Sequence, residues 1–383
     1  GNVPHLRFPE FSGEWNKYTI NDLATVVGGG TPDTTVKSYW GGDIQWFTPS
    51  EIGKNKYVDF SKRTITRDGL DNSSAKLLPL HTILLSSRAT VGECSIASNE
   101  CTTNQGFQSL IAKQCNIDFL YYLIQTKKKD LIRNACGSTF LEISANEIRK
   151  IKVAVPVQNE QEQIAKLLSL IDERIATQNK IIEKLQSLIK GLVDELMTVL
   201  LKGKLYPFSS FYIKAGEGGT PTTSVVEYYT EGTIPFIKIE DLSCKYLTNN
   251  KDFITELGMQ KSSAWLIPSK SVIYSNGATI GAISINEYPV CTKQGTNINV
   301  EYLYLLMSSS YFSKEISRII TEGTMKTAYL KDINHIKCPL PSMAQQKNIT
   351  NLTSSIEEKL SIEQELLRFL NLQKQYLLHM IFI

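Results

Sequence analysis

The 383-residue chain contains no apolar run close to the roughly 20 residues that a helix needs to span a bilayer. Its first ten residues also lack the charged-then-apolar layout of a secretory signal peptide. The first absence argues against a membrane-spanning protein, and the second argues against an exported one. We therefore expect a cytoplasmic protein without membrane contacts.

Metal-binding patterns are equally scarce. The seven cysteines are odd in number and form no C-x-x-C pair, and the four histidines are scattered along the chain. This pattern excludes a disulfide framework and the usual zinc sites. We expect reduced thiols, no metal site and no cofactor.

The motifs of the common DNA-modifying enzymes are also missing. The chain has no Asp/Asn-Pro-Pro-Tyr/Phe motif for amino-methylation, no Walker motif, and no nuclease Glu-x-Lys pair beside an Asp-bearing strand. No other set of side chains suggests a catalytic centre. We therefore expect no catalytic residues, and a chain that is not itself an enzyme.

The charge is nearly balanced, with a net value of +3. Residues 1–156 carry 18 basic and 15 acidic side chains, and the remaining segments are neutral in sum. Phosphate neutralisation supplies much of the affinity of DNA-binding proteins. A DNA reader of this composition must cluster its basic residues or borrow basic surface from partners.

An internal duplication is the strongest feature that the sequence does contain. At an offset of 189, the run Gly29–Pro32 falls on Gly218–Pro221, and twelve identical pairs follow between residues 65 and 92. The offset drifts to 185 where Pro156 meets Pro341. Such self-similarity indicates two copies of one structural unit.

Each copy ends in a long predicted helix. In the first, apolar residues recur in steps of four and three from Ile164 to Val199, interrupted by Gln178, which is the pattern of a coiled-coil seam. The second has a poorer seam, in which Glu363 aligns with Gln178. A matched polar residue either fixes the register or is a solvated defect. Asn159-x-x-Glu162 and Ser342-x-x-Gln345 predict the capped helix starts.

These elements predict an α+β protein with two pseudo-repeated mixed α/β heads and two long helices. About 40 residues of helix form a rod of roughly 60 Å, and two rods from one chain pair most simply as an antiparallel coiled coil. The predicted domains are head 1 at 1–156, helix 1 at 157–205, head 2 at 206–341 and helix 2 at 342–383.

The order of these motifs resembles a known family. A Gly-Gly-Thr-Pro run opens each repeat, a Ser-x-x-Ala-Thr-x-Gly turn follows, and Glu160-Gln161-x-x-Ile164 or Gln345-Gln346-x-x-Ile349 opens each long helix. Over essentially the whole chain this is similar to the specificity (S) subunit of type I restriction-modification systems. In that family two target recognition domains alternate with two conserved helices.

The resemblance implies a DNA-binding subunit that reads a bipartite, asymmetric double-stranded target. Each target recognition domain would read one half, and the helices would set the nonspecific spacer. It also implies two modification (methyltransferase) subunits as partners, joined later by restriction/translocase subunits. Two alternatives remain open: a two-headed protein-interaction scaffold with a coiled-coil spacer, and the recognition part of a related restriction enzyme whose nuclease lies elsewhere.

The candidate DNA contacts lie in the predicted turns. Small residues in the Gly-Gly-Thr-Pro runs either form structural turns or let a phosphate approach, and Arg and Asn suit guanine and adenine. Ser87-Arg88 and the aligned Asn276-Gly277 differ between the copies, as half-site readers should. The candidates are Gly30, Thr31, Lys54, Asn55, Lys56, Ser87, Arg88, Ser138 and Thr139 in head 1, and Gly219, Thr220, Asn276, Thr324 and Lys326 in head 2.

The residues that open the two long helices are the candidates for docking partner subunits. These are Glu160, Gln161, Gln345 and Gln346. The second copy departs from the family pattern, because Gln345 stands where the first copy has Glu160. This difference puts the partner contacts of the second helix in doubt.

Overall fold

The computed structural model describes residues 2–137, 141–277, 279–291, 299–320 and 327–383. The chain divides into two compact units, one formed by Gly1–Asn179 with Glu365–Ile383 and the other by Lys180–Gln364. Each unit contains one head and a part of each long helix.

The first unit is a mixed α/β head. Its strands are β1 Asn16–Thr19, β2 Ala24–Gly28, β3 Trp40–Phe47, β4 Tyr57–Val58, β5 Arg63–Ile65, β6 Ile83–Leu85, β7 Cys94–Ala97, β8 Cys101–Thr103, β9 Gln108–Ala112 and β10 Lys152–Val155. Its helices are α1 Ile20–Leu23, α2 Arg67–Asp71, α3 Ile117–Thr126, α4 Lys128–Arg133, α5 Ala145–Lys150 and the start of α6 Gln158–Leu200.

These strands form three sheets, with the orders β2-β9-β6-β7-β4, β5-β3-β8 and β1-β10. The core lies between the five-stranded sheet and α3, whose residues from Phe119 to Ile124 are all buried. Strand β6 is fully buried, as its run of apolar residues predicts.

The second unit repeats much of this plan. Its strands are β11 Leu205–Pro207, β12 Ile234–Phe236, β13 Tyr246–Leu247, β14 Asp252–Ile254, β15 Leu266–Ile267, β16 Val272–Tyr274, β17 Ile283–Asn286, β18 Val290–Cys291 and β19 Lys337–Pro339. Its helices are α7 Glu256–Gln260, α8 Val300–Ser308, α9 Ser310–Ile319, α10 Leu330–Ile333 and residues 343–364 of α11 Met343–Ile381. The sheet orders are β14-β12-β18-β15, β13-β17-β16 and β11-β19.

Helix caps and close backbone packing explain several of the repeated identities. Thr66 caps α2 by accepting a hydrogen bond from the Gly69 amide at 3.1 Å, and Thr255 caps α7 by accepting one from the Gly258 amide at 3.1 Å. A Cβ atom on Gly69 would lie 2.4 Å from the carbonyl oxygen of Tyr39. Only glycine allows this approach, so the repeated sequence preserves the head fold here.

The long helices pair in an antiparallel arrangement, as predicted. Ile164 and Leu168 near the start of α6 share a core with Leu378 and Ile381 near the end of α11. One helical turn further along, Asp172 of α6 forms an ion pair with Lys374 of α11 at 2.7 Å. The residue numbers therefore rise along one helix as they fall along the other.

The predicted seam of α6 is correct at its start and wrong at its end. Val199 is 61% exposed, whereas Val193 and Met197 are buried. A straight helix has 3.6 residues per turn and drifts from a strict 3.5-residue repeat. Gln178 and Glu363 are both buried, which excludes the solvated-defect interpretation. Their role in register stays a prediction.

The two predicted helix starts have different outcomes. Helix α6 begins at Gln158, so Asn159 lies in its first turn and is not the cap. Helix α11 begins at Met343, and Ser342 forms the predicted reciprocal pair, in which its amide donates to Gln345 Oε1 at 3.0 Å and its Oγ accepts from the Gln345 amide. The second prediction is confirmed.

An N-terminal arm, residues 2–15, packs against the start of α6. The fully buried Glu160 carboxylate accepts hydrogen bonds from Nε and Nη2 of Arg7 at 2.8 Å and from the indole N–H of Trp15 at 3.2 Å. Trp15 also packs edge-on against Phe382, close to the end of the chain. Glu160 is therefore a buried anchor for the arm.

We expect Arg7→Met to lower the free energy of unfolding of the first unit by about 3 kcal/mol, because the buried Glu160 carboxylate loses its cation. Arg133→Met is the control, since Arg133 forms an exposed ion pair and should cost less than about 1 kcal/mol. Urea denaturation followed by tryptophan fluorescence measures both, because three of the four tryptophans, Trp15, Trp40 and Trp46, lie in this unit. Equal losses would contradict the anchor role.

Candidate nucleic-acid interface

The first Gly-Gly-Thr-Pro turn is packed tightly into head 1. The Gly30 amide donates to the carbonyl oxygen of Thr103 at 2.9 Å, and the Gly30 carbonyl accepts from the indole of Trp46 at 2.9 Å. A Cβ atom on Gly30 would lie 2.3 Å from the Ala75 amide nitrogen. Packing therefore accounts for Gly30, whose amide is not free for a phosphate. The partly exposed Thr31 is the better placed of the two predicted contacts.

The loop 104–106 joins this turn to the Ser87-Arg88 turn. The Thr31 hydroxyl donates to Gln105 Oε1 at 2.5 Å, and the Ser87 amide donates to the carbonyl oxygen of Gly106 at 2.8 Å. The structure thus brings two predicted DNA contacts of head 1 together. Sequence reasoning missed Gln105 as a member of this site, although the repeat of Gln105-Gly106 at 294–295 was available as a signal.

Ser87 and Arg88 have different surroundings. Ser87 is buried, and its hydroxyl has no hydrogen-bond partner within the described part of the chain. The Arg88 side chain is 47% exposed and lies 3.7 Å from the Glu142 carboxylate. An exposed ion pair of this length is weak, so Arg88 is available to a new partner.

In head 2, Glu217 joins the predicted contacts. The Asn276 amide group donates to Glu217 Oε1 and to the carbonyl oxygen of Ala328, both at 3.0 Å. Thr220 is exposed, whereas a Cβ atom on Gly219 would lie 2.1 Å from Ser263 Oγ. Gly219 thus lies against a serine side chain, whereas Gly30 lies against backbone atoms. The predicted contacts Ser138, Thr139, Thr324 and Lys326 lie outside the described residues.

The predicted basic loop of head 1 splits into two environments. Lys54 and Asn55 are exposed. Lys56 is 10% exposed, and its ammonium lies 2.7 Å from Asp118 of α3 and donates to Ser169 Oγ of α6 at 2.7 Å. The ammonium also lies 4.8 Å above the Tyr122 ring. Lys56 thus connects the head to its helix, and its charge is neutralised inside the unit.

Lys245 makes the same connection in the second unit, at the repeat offset of 189 from Lys56. Its ammonium lies 2.5 Å from Glu301 of α8 and 2.5 Å from Glu357 of α11. Burial disfavours the charge on Lys245, but the hydrogen bonds to Glu301 and Glu357 outweigh burial and hold the pKa of Lys245 above its usual range. We name Lys56 and Lys245 with these partners the lysine joints.

The predicted docking residues also make internal contacts. Gln161 Oε1 accepts from the Asn116 amide at 2.9 Å, and its Nε2 donates to the carbonyl oxygen of Pro156 at 2.9 Å. Gln346 repeats both bonds in the second unit, to Asn299 at 3.2 Å and to Pro341 at 2.9 Å. With Glu160 buried under the arm, Gln345 is the exposed member of the predicted four.

No group of metal-ligating side chains occurs within the described ranges, and no helix in them is apolar and long enough to cross a membrane. All seven cysteines are free. Burial raises the pKa of the Cys101 and Cys338 thiols to about 12, so both are protonated and unreactive at neutral pH.

Comparison with known proteins gives two matches to one family. The model of the family described as "Type I restriction modification DNA specificity domain" matches residues 12–187 and again residues 211–371. The MjaIX type I restriction enzyme specificity subunit of Methanocaldococcus jannaschii is 28% identical over 382 residues, which cover 91% of this chain and 88% of that subunit. The EcoR124I/EcoR124II specificity subunit of Escherichia coli is 29% identical over 175 residues, covering 44% and 43%.

Solved structures share the fold. The crystal structure of a type I S subunit from M. genitalium covers 100% of this chain and 99% of its own, with a TM-score of 0.54 and 19% identity. A chain from a study of complex assembly and conformational transition of a type I R-M system covers 96% and 97%, with a TM-score of 0.58 and 15% identity. The expected class of two mixed α/β heads and two long helices is thus confirmed.

We expect Lys245→Met to loosen head 2 on its helix, because Glu301 and Glu357 would face each other without a cation. The free energy of opening of α8 should fall by about 3 kcal/mol. Lys238→Met, which removes a more exposed ion pair with Asp252, should change it by less than about 1 kcal/mol. Amide hydrogen exchange of peptides from 300–308 measures both, and equal protection in the two variants would rule out the joint.

Proposed function

Because this chain belongs to the family of type I restriction-modification DNA specificity subunits, we propose that it reads a bipartite, asymmetric DNA target with one head on each half. The resemblance seen in the sequence is thereby confirmed, as is the expected role of a non-catalytic DNA-recognition component of a restriction-modification system. One observation carries the proposal: the two heads share a fold but differ in the side chains at corresponding turns.

The proposed base readers are Arg88 in head 1 and Asn276 in head 2. To bind a guanine edge, Arg88 would give up its weak ion pair with Glu142. To bind an adenine edge, Asn276 would give up its hydrogen bond to Glu217. A good bidentate contact contributes about 1–3 kcal/mol of discrimination. Thr31, Lys54, Asn55 and Thr220 are exposed enough to contact the backbone, whereas Gly30, Lys56, Ser87 and Gly219 support the fold around them.

The long helices are the proposed docking surface for methyltransferase subunits. In the second unit, Ile181, Leu188 and Val199 are exposed apolar residues at spacings of seven and eleven, which place them on one helix face. In the first unit, Phe369, Leu372 and Tyr376 form a similar exposed face at spacings of three and four. Exposed apolar faces indicate interaction sites.

One such face in each unit supports two modification subunits in the complex. Restriction/translocase subunits would join this assembly later. We also propose domain boundaries at 1–156, 157–205, 206–341 and 342–383. A cytoplasmic location is proposed because the DNA partner would be there.

Expression of this chain with the methyltransferase of its own system should create a new split methylation motif in cellular DNA. Long-read sequencing, compared with cells that lack the chain, detects it. Replacing residues 1–156 by the equivalent head of another specificity subunit should change one half of the motif only. If the methyltransferase is expressed and bound but no motif appears, DNA reading is wrong and the scaffold alternative is favoured.

Leu188→Glu should remove one of two bound methyltransferase subunits, because it places a charge in the apolar face of the second unit, where Leu188 is 55% exposed. Gln186→Glu on the same helix adds the same charge and should leave both subunits bound. Native mass spectrometry of the purified complex counts them. Retention of both subunits in Leu188→Glu would exclude this face as a docking surface.

A further inference from the structure

Head 1 contains a stacked arginine, Arg63, on strand β5. The guanidinium carbon of Arg63 lies 3.6 Å from the ring centre of Trp40 and 5.5 Å from that of Trp46. Arg63 and Trp46 are paired across strands β5 and β3, and the two indoles meet edge-to-face at 5.0 Å. Strand pairing and ring packing therefore fix the guanidinium in one orientation.

The Arg63 guanidinium is stacked on a ring but, in the part of the chain that the structure describes, is not paired with an acidic side chain. Arg63 is exposed, and no ion pair found among the described residues includes it. Asp33, whose backbone carbonyl accepts from the Trp40 indole, uses its carboxylate to accept from the Thr35 amide at 2.8 Å and the Thr35 hydroxyl at 2.7 Å. A guanidinium stacked through one face keeps its in-plane N–H donors free, and these match two oxygens of a phosphate.

The stack adjoins the candidate interface. The Trp46 indole donates to the Gly30 carbonyl, and the Trp40 indole donates to the Asp33 carbonyl at 3.1 Å. Trp46 and Trp40, on which Arg63 stacks, are thus hydrogen-bonded to the two ends of the turn that contains Thr31. An anion held by Arg63 would lie beside the predicted DNA contacts of head 1.

The matching strand position of head 2 carries the opposite charge. On the matching strands, Phe236 pairs with Asp252, so an acidic residue takes the place of Arg63. Asp252 forms an ion pair with Lys238 at 3.0 Å, which neutralises both charges. The repeat therefore preserves the apolar part of this region but not the cation.

We infer that Arg63, held flat on Trp40, is a phosphate anchor for duplex DNA in the first head. This inference rests on the proposed function and assigns it a specific backbone contact. A phosphate contact strengthens binding to all sequences equally, because the backbone carries no base identity.

The test uses the full chain in complex with its methyltransferase subunits. Fluorescence anisotropy gives the affinity for a labelled duplex carrying the methylated motif and for a scrambled duplex, between 0.1 and 0.4 M salt. Each phosphate contact adds about 0.9 to the slope of log affinity against log salt. Arg63→Gln should therefore lower that slope by about 0.9 and weaken binding of both duplexes about tenfold at 0.1 M salt.

Two further variants sharpen the result. Arg133→Gln removes the same charge from an exposed arginine that is already paired with Asp130, and should change affinity less than about twofold. Trp40→Leu keeps Arg63 but removes its platform, and should give an intermediate loss. Equal effects of Arg63→Gln and Arg133→Gln would overturn the anchor, and so would a loss confined to the motif duplex. If the unaltered complex binds neither duplex, the proposed function itself fails.

Discussion

The attachment of each head to its long helix depends on polar groups that have little access to water. Gln161 and Gln346 each link the start of a long helix to the residue that caps a helix of the head. Lys245 pairs with a carboxylate from each element, whereas Lys56 pairs with Asp118 of the head and donates to the Ser169 hydroxyl of the long helix. Buried polar groups are costly unless they are paired. A rotation of the head on its helix would unpair them, so these groups fix one orientation.

Duplication has kept these attachments and let other parts diverge. The N-terminal arm exists only in the first unit, which explains why Glu160 is a buried acid while its counterpart Gln345 is an exposed cap. Arg63 is likewise replaced in head 2, where Asp252 takes its strand position. Two heads of one fold with unlike surfaces suit an asymmetric target, because different side chains can read each half.

Sequence periodicity was sufficient for the repeat, the long helices, their antiparallel pairing and the Ser342 cap, because these depend on local pattern and chain length. It was not sufficient where tertiary contacts determine the environment of a side chain. Lys56 and Glu160 are charged residues that sequence alone places on a surface, and only the fold supplies Asp118 and Arg7 as partners. Val199 was misplaced because a seam in a straight helix drifts after several turns. The proximity of Thr31, Gln105 and Ser87 depends on loops with no periodic signal.

We propose above all that the two heads of one chain bind two separate parts of one DNA site. Hydroxyl-radical footprinting of the complex with methyltransferase subunits, on a duplex carrying its methylated motif, measures this directly. We predict two protected segments with a less protected segment between them, each protected segment covering one half of the motif. A single continuous protected segment, or protection of one half alone, would contradict the account.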